Sequence, residues 1–361
     1  MNKKIINDIV SIIAIILLIT SCLSKKIKEI EDIQLKKLCE ISAKNMDSLK
    51  SINLFSSDDK GNLYIYDDIN KRVVVFDSKG NYTYQFGRSG SGPGEFKNVF
   101  SIITTTSCIL IIDISKYVII KYNYIGQFMS EKKIPLIGIP KAISYEDIIL
   151  GWHEIPFKEG KKIMRQRGIG IFSYSLLLKK DIYSVKDVYN PYIFDPNLAS
   201  SVFSLNRLNG EIAVSEIDSR EFKVHIFNKN YELIKTIIID LPPIKYAKKT
   251  FNGIQEFYDK QCDIMNKQYG KKYEVKKLNK YTRLVKDIAY DKDSNLWVLT
   301  PQDKNPDKVR IIIFDKNYKL KGVFHPLLPL GKMYIRNNNL IYFSGIEAED
   351  RKLEIYKIVR K

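Results

Sequence analysis

Histidine, cysteine and tryptophan are scarce in this chain, whose 361 residues include 3 His, 4 Cys and 2 Trp. The histidines, His153, His225 and His325, lie far apart, and none has a paired spacing such as H-x-x-x-H. The sequence also contains no C-x-x-C pair. These absences argue against a zinc or copper site, and we expect no metal ligands.

The usual catalytic motifs are missing as well. We find no G-x-S-x-G elbow, no phosphate loop and no nucleophile paired with a base. The glycine-rich segment Gly90–Gly94 lacks the Lys-Ser/Thr of a phosphate loop, so its glycines are better explained by a tight crossing that needs positive φ angles. We therefore assign no catalytic residue, and a protein that is not an enzyme is favoured.

The apolar run Ile9–Thr20 has 12 residues, whereas a membrane-spanning helix needs about 20. Lys3 and Lys4 precede it, as in a signal peptide. The run ends in Ile19-Thr20-Ser21-Cys22, which resembles the lipobox of bacterial lipoproteins. The resemblance implies removal of residues 1–21 and acylation of Cys22, with membrane lipid as a partner. The alternatives are a plain secretory signal and an uncleaved anchor.

The formal net charge of +18 is carried by 59 basic and 41 acidic residues. Of the basic residues 48 are Lys and 11 are Arg, and they are scattered along the chain. Phosphate-binding patches are usually clustered and rich in Arg. We therefore read the charge as a solvated surface and expect no nucleic acid partner. Cys39, Cys108 and Cys262 fit buried apolar positions, although one disulfide among them stays open.

One pattern recurs six times: an apolar residue, an aromatic residue and a short polar turn. The aromatic anchors are separated by 46, 50, 55, 87 and 42 residues, and they are Phe76, Tyr122, Phe172, Phe227, Phe314 and Tyr356. Turns that lead into apolar strands precede several anchors, as in Asp59–Ile65 and Asp293–Val298. Four antiparallel strands per ~40–50 residues are typical of a propeller blade. The spacing therefore predicts six blades.

The segment Gly61–Phe96 resembles the NHL repeat, through Gly61-Asn-Leu-Tyr-Ile, Arg72-Val-Val-Val-Phe-Asp and Gly90-Ser-Gly-Pro-Gly-Glu-Phe. With the lipobox, the chain is similar to the six-bladed β-propeller lipoproteins of Gram-negative gut anaerobes. The fold class that we predict is all-β, a six-bladed β-propeller of four-stranded antiparallel blades with one helical insertion. Residues 1–21 are the signal peptide, residues 22–32 a tether and residues 33–361 the propeller.

The ends of the predicted ring are joined by a strand from the N-terminal side. The last unit supplies three strands, near 333–335, 340–344 and 353–359, which leaves one edge open. The segment 33–38 partly alternates between apolar and polar residues. We expect it to complete the last blade.

A helical insertion is predicted at 245–280, inside the long interval of 87 residues. Its apolar stripe recurs at steps of three and four residues, as expected for an amphipathic helix, and comprises Phe251, Ile254, Tyr258, Cys262, Met265 and Tyr269. The helix either decorates a blade edge or covers one face of the ring, and the sequence leaves both open.

The loops of a propeller fall on two faces. Loops between second and third strands, and between successive blades, share the long-loop face; the other turns share the short-turn face. All long elements are predicted on the long-loop face, where binding residues are expected. The candidate ligand-binding residues there are Arg88, Trp152, His153, Arg165 and Arg167, since an indole stacks on sugars and arginines hold anions. Alternatively, Trp152 lies in the core and the charges are solvated hairpin arms, and we favour this interpretation slightly.

Several aspartates follow second strands at the same rim, namely Asp67, Asp68, Asp113 and Asp218. Propeller lactonases and related hydrolases hold calcium with such carboxylates. Aspartate after a strand more often accepts backbone N–H bonds in a turn, and we favour that interpretation. No cofactor is therefore expected, with calcium as the remaining alternative.

The leading functional hypothesis is a binding or scaffold lipoprotein that recognises a protein, peptide or glycan on its long-loop face. The alternative is a metal-dependent propeller hydrolase or lyase with its site in the central channel. The predicted innermost strands supply few inward polar groups beyond Asn53 and Asp287, which mildly disfavours it. We expect a lipid anchor in the outer membrane facing the periplasm, with the cell surface as the alternative.

Overall fold

The structure is a computed structural model, and it describes residues 29–30, 33–44, 46, 48–134, 142–145, 148–195, 202–216, 221–336, 338–345 and 350–360. The predicted signal peptide, Cys22 and Asp218 lie outside these residues. Six antiparallel sheets of four strands each form the body of the described chain, and one two-stranded sheet accompanies them.

The strands run in chain order through the blades. The first half comprises β1 (Ile33–Ser42), β2 (Leu54–Ser57), β3 (Leu63–Asp67), β4 (Arg72–Phe76), β5 (Tyr82–Phe86), β6 (Val99–Thr104), β7 (Ile109–Asp113), β8 (Val118–Tyr122), β9 (Phe128–Lys133), β10 (Ala142–Tyr145), β11 (Ile148–Glu159), β12 (Lys162–Phe172) and β13 (Leu178–Val188). The second half comprises β14 (Ile193–Phe194), β15 (Phe203–Leu205), β16 (Ile212–Ser215), β17 (Phe222–Phe227), β18 (Leu233–Ile239), α1 (Lys248–Tyr269), β19 (Glu274–Val275), β20 (Asp287–Tyr290), β21 (Leu296–Pro301), β22 (Val309–Phe314), β23 (Leu320–Phe324), β24 (Gly331–Arg336), β25 (Asn339–Ser344) and β26 (Lys352–Arg360).

The six sheets are the blades of a ring. Blades 1 to 5 are β2–β5, β6–β9, β10–β13, β15–β18 and β20–β23, and blade 6 is β24–β26 with β1. The first strands of successive blades contact one another, β2 with β6, β6 with β10, β10 with β15, β15 with β20, and β20 with β24. These six strands therefore surround a common axis. The predicted fold class, a six-bladed β-propeller with one helix, is confirmed.

Strand β1 closes the ring. It pairs antiparallel with β26, so that Ile33 lies opposite Arg360 and Ser42 lies opposite Lys352. The strand extends beyond the segment 33–38 to Ser42. Ile41 is fully buried in an apolar cluster that includes Ile65 of blade 1 and Ile355 of blade 6. The same strand thus hydrogen-bonds blade 6 and packs against blade 1.

The repeated aromatic anchors mark a repeated backbone feature. In blades 1 to 5 the pairing of the third and fourth strands shifts register at the anchor, as between Val75 and Phe76 or Ile313 and Phe314. A side-chain-capped turn follows. In blade 1 the Oδ1 atom of Asp77 accepts the N–H groups of Lys79 and Asn81. The turn residue therefore replaces ladder hydrogen bonds that the bulge removes.

Helix α1 lies within the predicted insertion 245–280 and ends at Gly270, whose φ of 60° is left-handed. Cys262 is its one buried residue, so the predicted stripe is mostly half-buried. Strand β19, after the helix, pairs with β14 in the connection that follows blade 3. Thr250 donates to Asp307 of the β21–β22 loop at 2.7 Å. The insertion therefore joins two connections on the long-loop face.

The largest apolar clusters lie between neighbouring blades, where the faces of adjacent sheets pack. The largest fully buried side chain is Trp297 of blade 5. The cysteines Cys39, Cys108 and Cys262 are all free thiols. None of the described helices has the length and apolar character needed to cross a bilayer.

Candidate functional site

A cavity of about 300 Å³ occupies the axis of the ring. Side chains of β2, β6, β15, β20 and β24 line it, because alternate residues of each innermost strand point to the axis. Trp152 of β11 contributes from a second strand. Residues near the start of each innermost strand lie toward the long-loop face, and residues near its end lie toward the short-turn face. The cavity is therefore the central channel.

Three basic side chains line the long-loop end of this channel: Arg283, Lys286 and Lys332. The Nε and Nη2 atoms of Arg283 are buried and have no hydrogen-bond partner. The Lys286 ammonium donates to the hydroxyl of Thr282 and lies 5.6 Å from the ring centre of Tyr246. Within the described residues, no carboxylate forms an ion pair with any of the three bases.

Burial in the channel wall shifts the titration of these groups. It lowers the pKa of Lys286 to about 8, and the neighbouring positive charge of Arg283 lowers it further in the same direction. Burial also lowers the pKa of Arg283. A positive group that is both desolvated and close to another cation is stabilised by an anion. The long-loop end of the channel therefore has the electrostatics of an anion site.

Asp287 is the acidic residue among the lining side chains at this end, and both of its carboxylate oxygens accept backbone N–H groups. Its Oδ2 atom accepts the N–H of Met333 at 2.7 Å, and its Oδ1 atom accepts the N–H of Ile288 at 3.0 Å. Burial raises its pKa to about 6, although those two N–H groups and the charges of Lys332 and Arg283 act in the opposite direction. Asp287 thus links β20 to β24.

Two further arginines lie at the short-turn end. Arg207 pairs with Asp59, and Arg336 donates from Nη1 to the carbonyl of Ile335 at 3.0 Å. The Nε atom of Arg336 is buried without a partner, and burial together with the charge of Arg207 lowers its pKa to about 10. Both arginines also line a second cavity of about 340 Å³ that includes Asp291. Basic side chains therefore lie at both ends of the channel.

Among the predicted ligand-binding residues, Trp152 lines the channel. Its indole Nε1 is buried and has no hydrogen-bond partner, and the ring also packs against the apolar cluster between blades 3 and 4. A buried indole N–H usually donates to an acceptor. Trp152 is therefore part of the candidate site, together with the three bases that sequence reasoning missed.

His153, the next residue of β11, lies elsewhere. It is almost completely buried, and its Nε2 atom is 3.0 Å from Oδ1 of Asp181. Arg165 and Arg167 both pair with Asp187, at 2.8 and 2.5 Å. Such pairs hold the long β11–β12–β13 hairpin together. The structure therefore places these three residues inside blade 3, away from the channel lining.

Arg88 lies in the connection between blades 1 and 2. Its side chain is 81% exposed and pairs with Glu95 at 2.9 Å, and Glu95 also accepts the N–H of Gly92. Gly90 has a φ of 155°, and a Cβ there would lie 2.0 Å from a Glu95 carboxylate oxygen. The glycines thus let the loop close around this ion pair, outside the channel.

The rim aspartates serve turns. Asp113 is fully buried and accepts the N–H groups of Lys97, Asn98, Ser115 and Lys116. Asp67 likewise accepts backbone N–H groups, and it is completely buried. Within the described part of the chain, no group of three or more His, Cys, Asp or Glu side chains could hold a metal ion. Asn53 contacts Arg351 and is not among the channel-lining residues.

The comparisons with known proteins agree with this architecture. Residues 7–169 match a family described as DUF5128, 6-bladed beta-propeller. No curated protein matches the chain. Among solved structures, a Bacteroides fragilis protein provisionally named as exported is 14% identical, with a TM-score of 0.51 over 91% of this chain and 96% of that one. The fold is a six-bladed β-propeller.

Two further solved structures are similar to this chain with lower TM-scores. A member of the DUF4221 family from Bacteroides vulgatus is 11% identical, with a TM-score of 0.46 over 91% of this chain and 99% of that one. Virginiamycin B lyase from Staphylococcus aureus is 10% identical, with a TM-score of 0.39 over 91% and 100%. At these scores the likeness carries no argument about activity, so function rests on the channel itself.

Proposed function

We propose that this propeller is a binding protein without catalytic activity, and that its ligand enters the channel from the long-loop face. The observation that supports this most is the basic channel end, where Arg283, Lys286 and Lys332 line a cavity beside Trp152. Charged and aromatic side chains around a concave site recognise ligands by position and charge. The ligand is a protein, peptide or glycan that inserts one group into the channel.

The same wall disfavours the alternative of a metal-dependent hydrolase or lyase. A divalent cation needs several converging oxygen ligands, whereas the channel end presents three bases around Asp287. The carboxylate oxygens of Asp287 already accept two backbone N–H groups. Like charges repel a metal ion here, so binding is the function that the geometry supports better.

The proposal extends to the cell location. The lipobox-like segment that ends at Cys22 and the exported name of the Bacteroides fragilis structure support export, with an acyl anchor in the outer membrane facing the periplasm. The chain enters the ring on the short-turn side, since Ile33 lies opposite Arg360, and Arg360 pairs with Asp293 in the β20–β21 turn. Strand β1 therefore begins on the side opposite the long loops.

A binding screen with the mature chain tests the proposed function. Peptide and glycan arrays are probed with the wild type, with Trp152→Ala and with Arg88→Ala, a matched control on the same face outside the channel. We expect Trp152→Ala to lose the signal and Arg88→Ala to keep it. Equal loss in both variants would contradict a channel site.

An activity screen separates binding from catalysis. The wild type is incubated with calcium and a panel of hydrolase and lyase substrates, with and without a chelator. We expect no turnover above the buffer rate. Reproducible turnover that the chelator abolishes would reject the proposal.

The anchor is tested by mass spectrometry and detergent phase separation of the full chain expressed in a Gram-negative host. We expect acylated wild type in the detergent phase and unmodified Cys22→Ser in the aqueous phase. Cys39→Ser is the matched control and should behave like the wild type. Acylation that persists in Cys22→Ser would overturn the anchor.

A further inference from the structure

We propose that the long-loop end of the channel is an oxyanion site in which Arg283 is the principal donor, flanked by Lys286 and Lys332. The group that the ligand inserts into the channel then carries a carboxylate, sulfate or phosphate and is no larger than one sugar ring or amino acid. This inference rests on the proposed binding function and names the chemical group that the channel recognises.

The guanidinium of Arg283 carries the argument. Arginine is permanently charged and presents a planar fork of donors that matches oxyanions with two parallel hydrogen bonds. In Arg283 both Nε and Nη2 are buried without a partner, and no ion pair satisfies them. An unpaired buried cation is costly, and proteins usually pair it. Because Arg283 lines the channel, a ligand there can supply the missing partner once the guanidinium turns toward the cavity.

The two lysines increase the positive potential at the same place. Lys286 is close enough to Arg283 for their like charges to disfavour each other, and Lys332 is exposed at the channel end. Only the Thr282 hydroxyl accepts a bond from Lys286 within the described residues. Three cations face one carboxylate, that of Asp287, so the site keeps a net positive charge even when Asp287 is ionised.

The surrounding side chains limit the body of the ligand. The cavity holds about 300 Å³, and Phe55, Trp152 and Tyr334 are among its aromatic walls. Aromatic faces pack against sugar rings or flat side chains, and the indole of Trp152, which lines the channel, offers one such face. The volume is at the lower end of small-molecule sites, so one acidic ring or residue fits.

Tryptophan fluorescence offers a direct readout, because the chain has two tryptophans. Trp297 is fully buried, and its Nε1 donates to Asp291, so it gives a constant background. The mature protein is titrated at constant ionic strength with glucuronate, glucose 6-sulfate, glucose 6-phosphate and neutral glucose. We expect saturable quenching by at least one acidic sugar and none by glucose.

The variant Arg283→Gln should weaken the binding of that sugar at least about tenfold, since charge-assisted bonds are the strong ones. Arg88→Gln is the matched control and should bind like the wild type. Trp152→Phe should remove the fluorescence signal. Thermal unfolding separates a binding role from a structural one: because Arg283 is unpaired, we expect Arg283→Gln to melt no lower than the wild type and to lose the stabilisation by the sugar.

Three results would overturn the oxyanion site. The first is the absence of quenching by all three acidic sugars up to about 10 mM, a weak-affinity limit. The second is equal quenching by glucose, which would leave a channel site for neutral ligands and so keep the proposed function. The third is unchanged affinity in Arg283→Gln. If binding on the arrays depends on Trp152 but not on Arg283, the proposed binding function stands and the oxyanion site is wrong.

Discussion

At the scale of single residues, the channel differs from the rest of the molecule in how its charges are satisfied. Elsewhere in the described chain, the buried arginines form ion pairs: Arg165 and Arg167 share Asp187, and Arg310 pairs with Asp303. In the channel wall, Arg283 and Arg336 have buried nitrogen atoms without hydrogen-bond partners, and neither forms an ion pair with a described residue. Uncompensated charge is a cost to folding, so its concentration at one place is an argument for function.

Asp287 should make stability depend on pH. Its pKa is raised to about 6 in the folded protein from 3.8, so the folded state binds the proton more tightly than the unfolded chain. This favourable contribution is fully present below about pH 4 and is lost as the pH rises through 6. Relative to Asp287→Asn, the wild type should therefore lose about 2–3 kcal/mol of unfolding free energy between pH 4 and 7.

Urea unfolding of both proteins at several pH values measures this difference. Asp315→Asn, in an exposed turn, is a suitable control, since the backbone N–H of Lys319 lowers the pKa of that carboxyl and gives its pH dependence the opposite sign. A wild type that gains stability over the variant between pH 4 and 7 would contradict the assignment.

At the scale of elements, the turn after each aromatic anchor explains why the repeat is visible in the sequence. The aromatic anchor ends the third strand at a bulge. The side-chain oxygen of the next residue then accepts backbone N–H groups of the turn. In blade 5 Asp315 accepts the N–H groups of Asn317 and Lys319, and Tyr318 has a φ of 59°. Local hydrogen bonds of this kind depend on nearby residues alone.

Removal of one cap should have a modest and local effect. Asp315→Ala loses both hydrogen bonds and should lower the unfolding free energy by about 1 kcal/mol. Asp315→Asn keeps the acceptor oxygen and should cost clearly less. Chemical unfolding of the two variants measures the difference. Equal losses would show that the charge, and not the acceptor, stabilises the turn.

At the scale of the whole molecule, β1 decides whether blade 6 has a free edge. It covers β26 along nine paired positions and places Ile41 in the cluster between blades 6 and 1. A chain that begins at residue 43 should expose the edge of β26 and aggregate or melt far below a chain that begins at Ile33. Light scattering and thermal unfolding of the two truncations test this. Similar melting of both would contradict the role of β1.

The entry side of the chain also predicts an orientation on membranes. The short-turn face should lie nearer the bilayer, because Ile33 begins β1 on that side. In vesicle-bound lipidated protein, a fluorophore at Lys79→Cys should transfer more energy to a lipid acceptor than one at Lys158→Cys, in the hairpin on the long-loop face. Equal transfer from both positions would contradict the orientation.

The repeat, the strands and the helix could be predicted from the sequence, because each depends on residues close together in the chain. Phe76 and Phe314 end third strands as their pattern indicates, and the period-3.6 stripe marks α1. The site was harder to predict. His153 and Arg165 attracted notice as an unusual cluster, yet the structure pairs them inside blade 3. Among 48 lysines, Lys286 and Lys332 gave no signal.

By itself the sequence determined the six-bladed propeller, since apolar alternation and turn chemistry act locally and repeat with the blade. Only the tertiary structure decided which charges meet in the channel. Arg283 follows the insertion, Lys332 begins the last blade and Trp152 belongs to blade 3, so their proximity arises from closing the ring. Whether a side chain points toward the axis depends on the register of its strand. A register shift of one residue would point it to the opposite face of the blade.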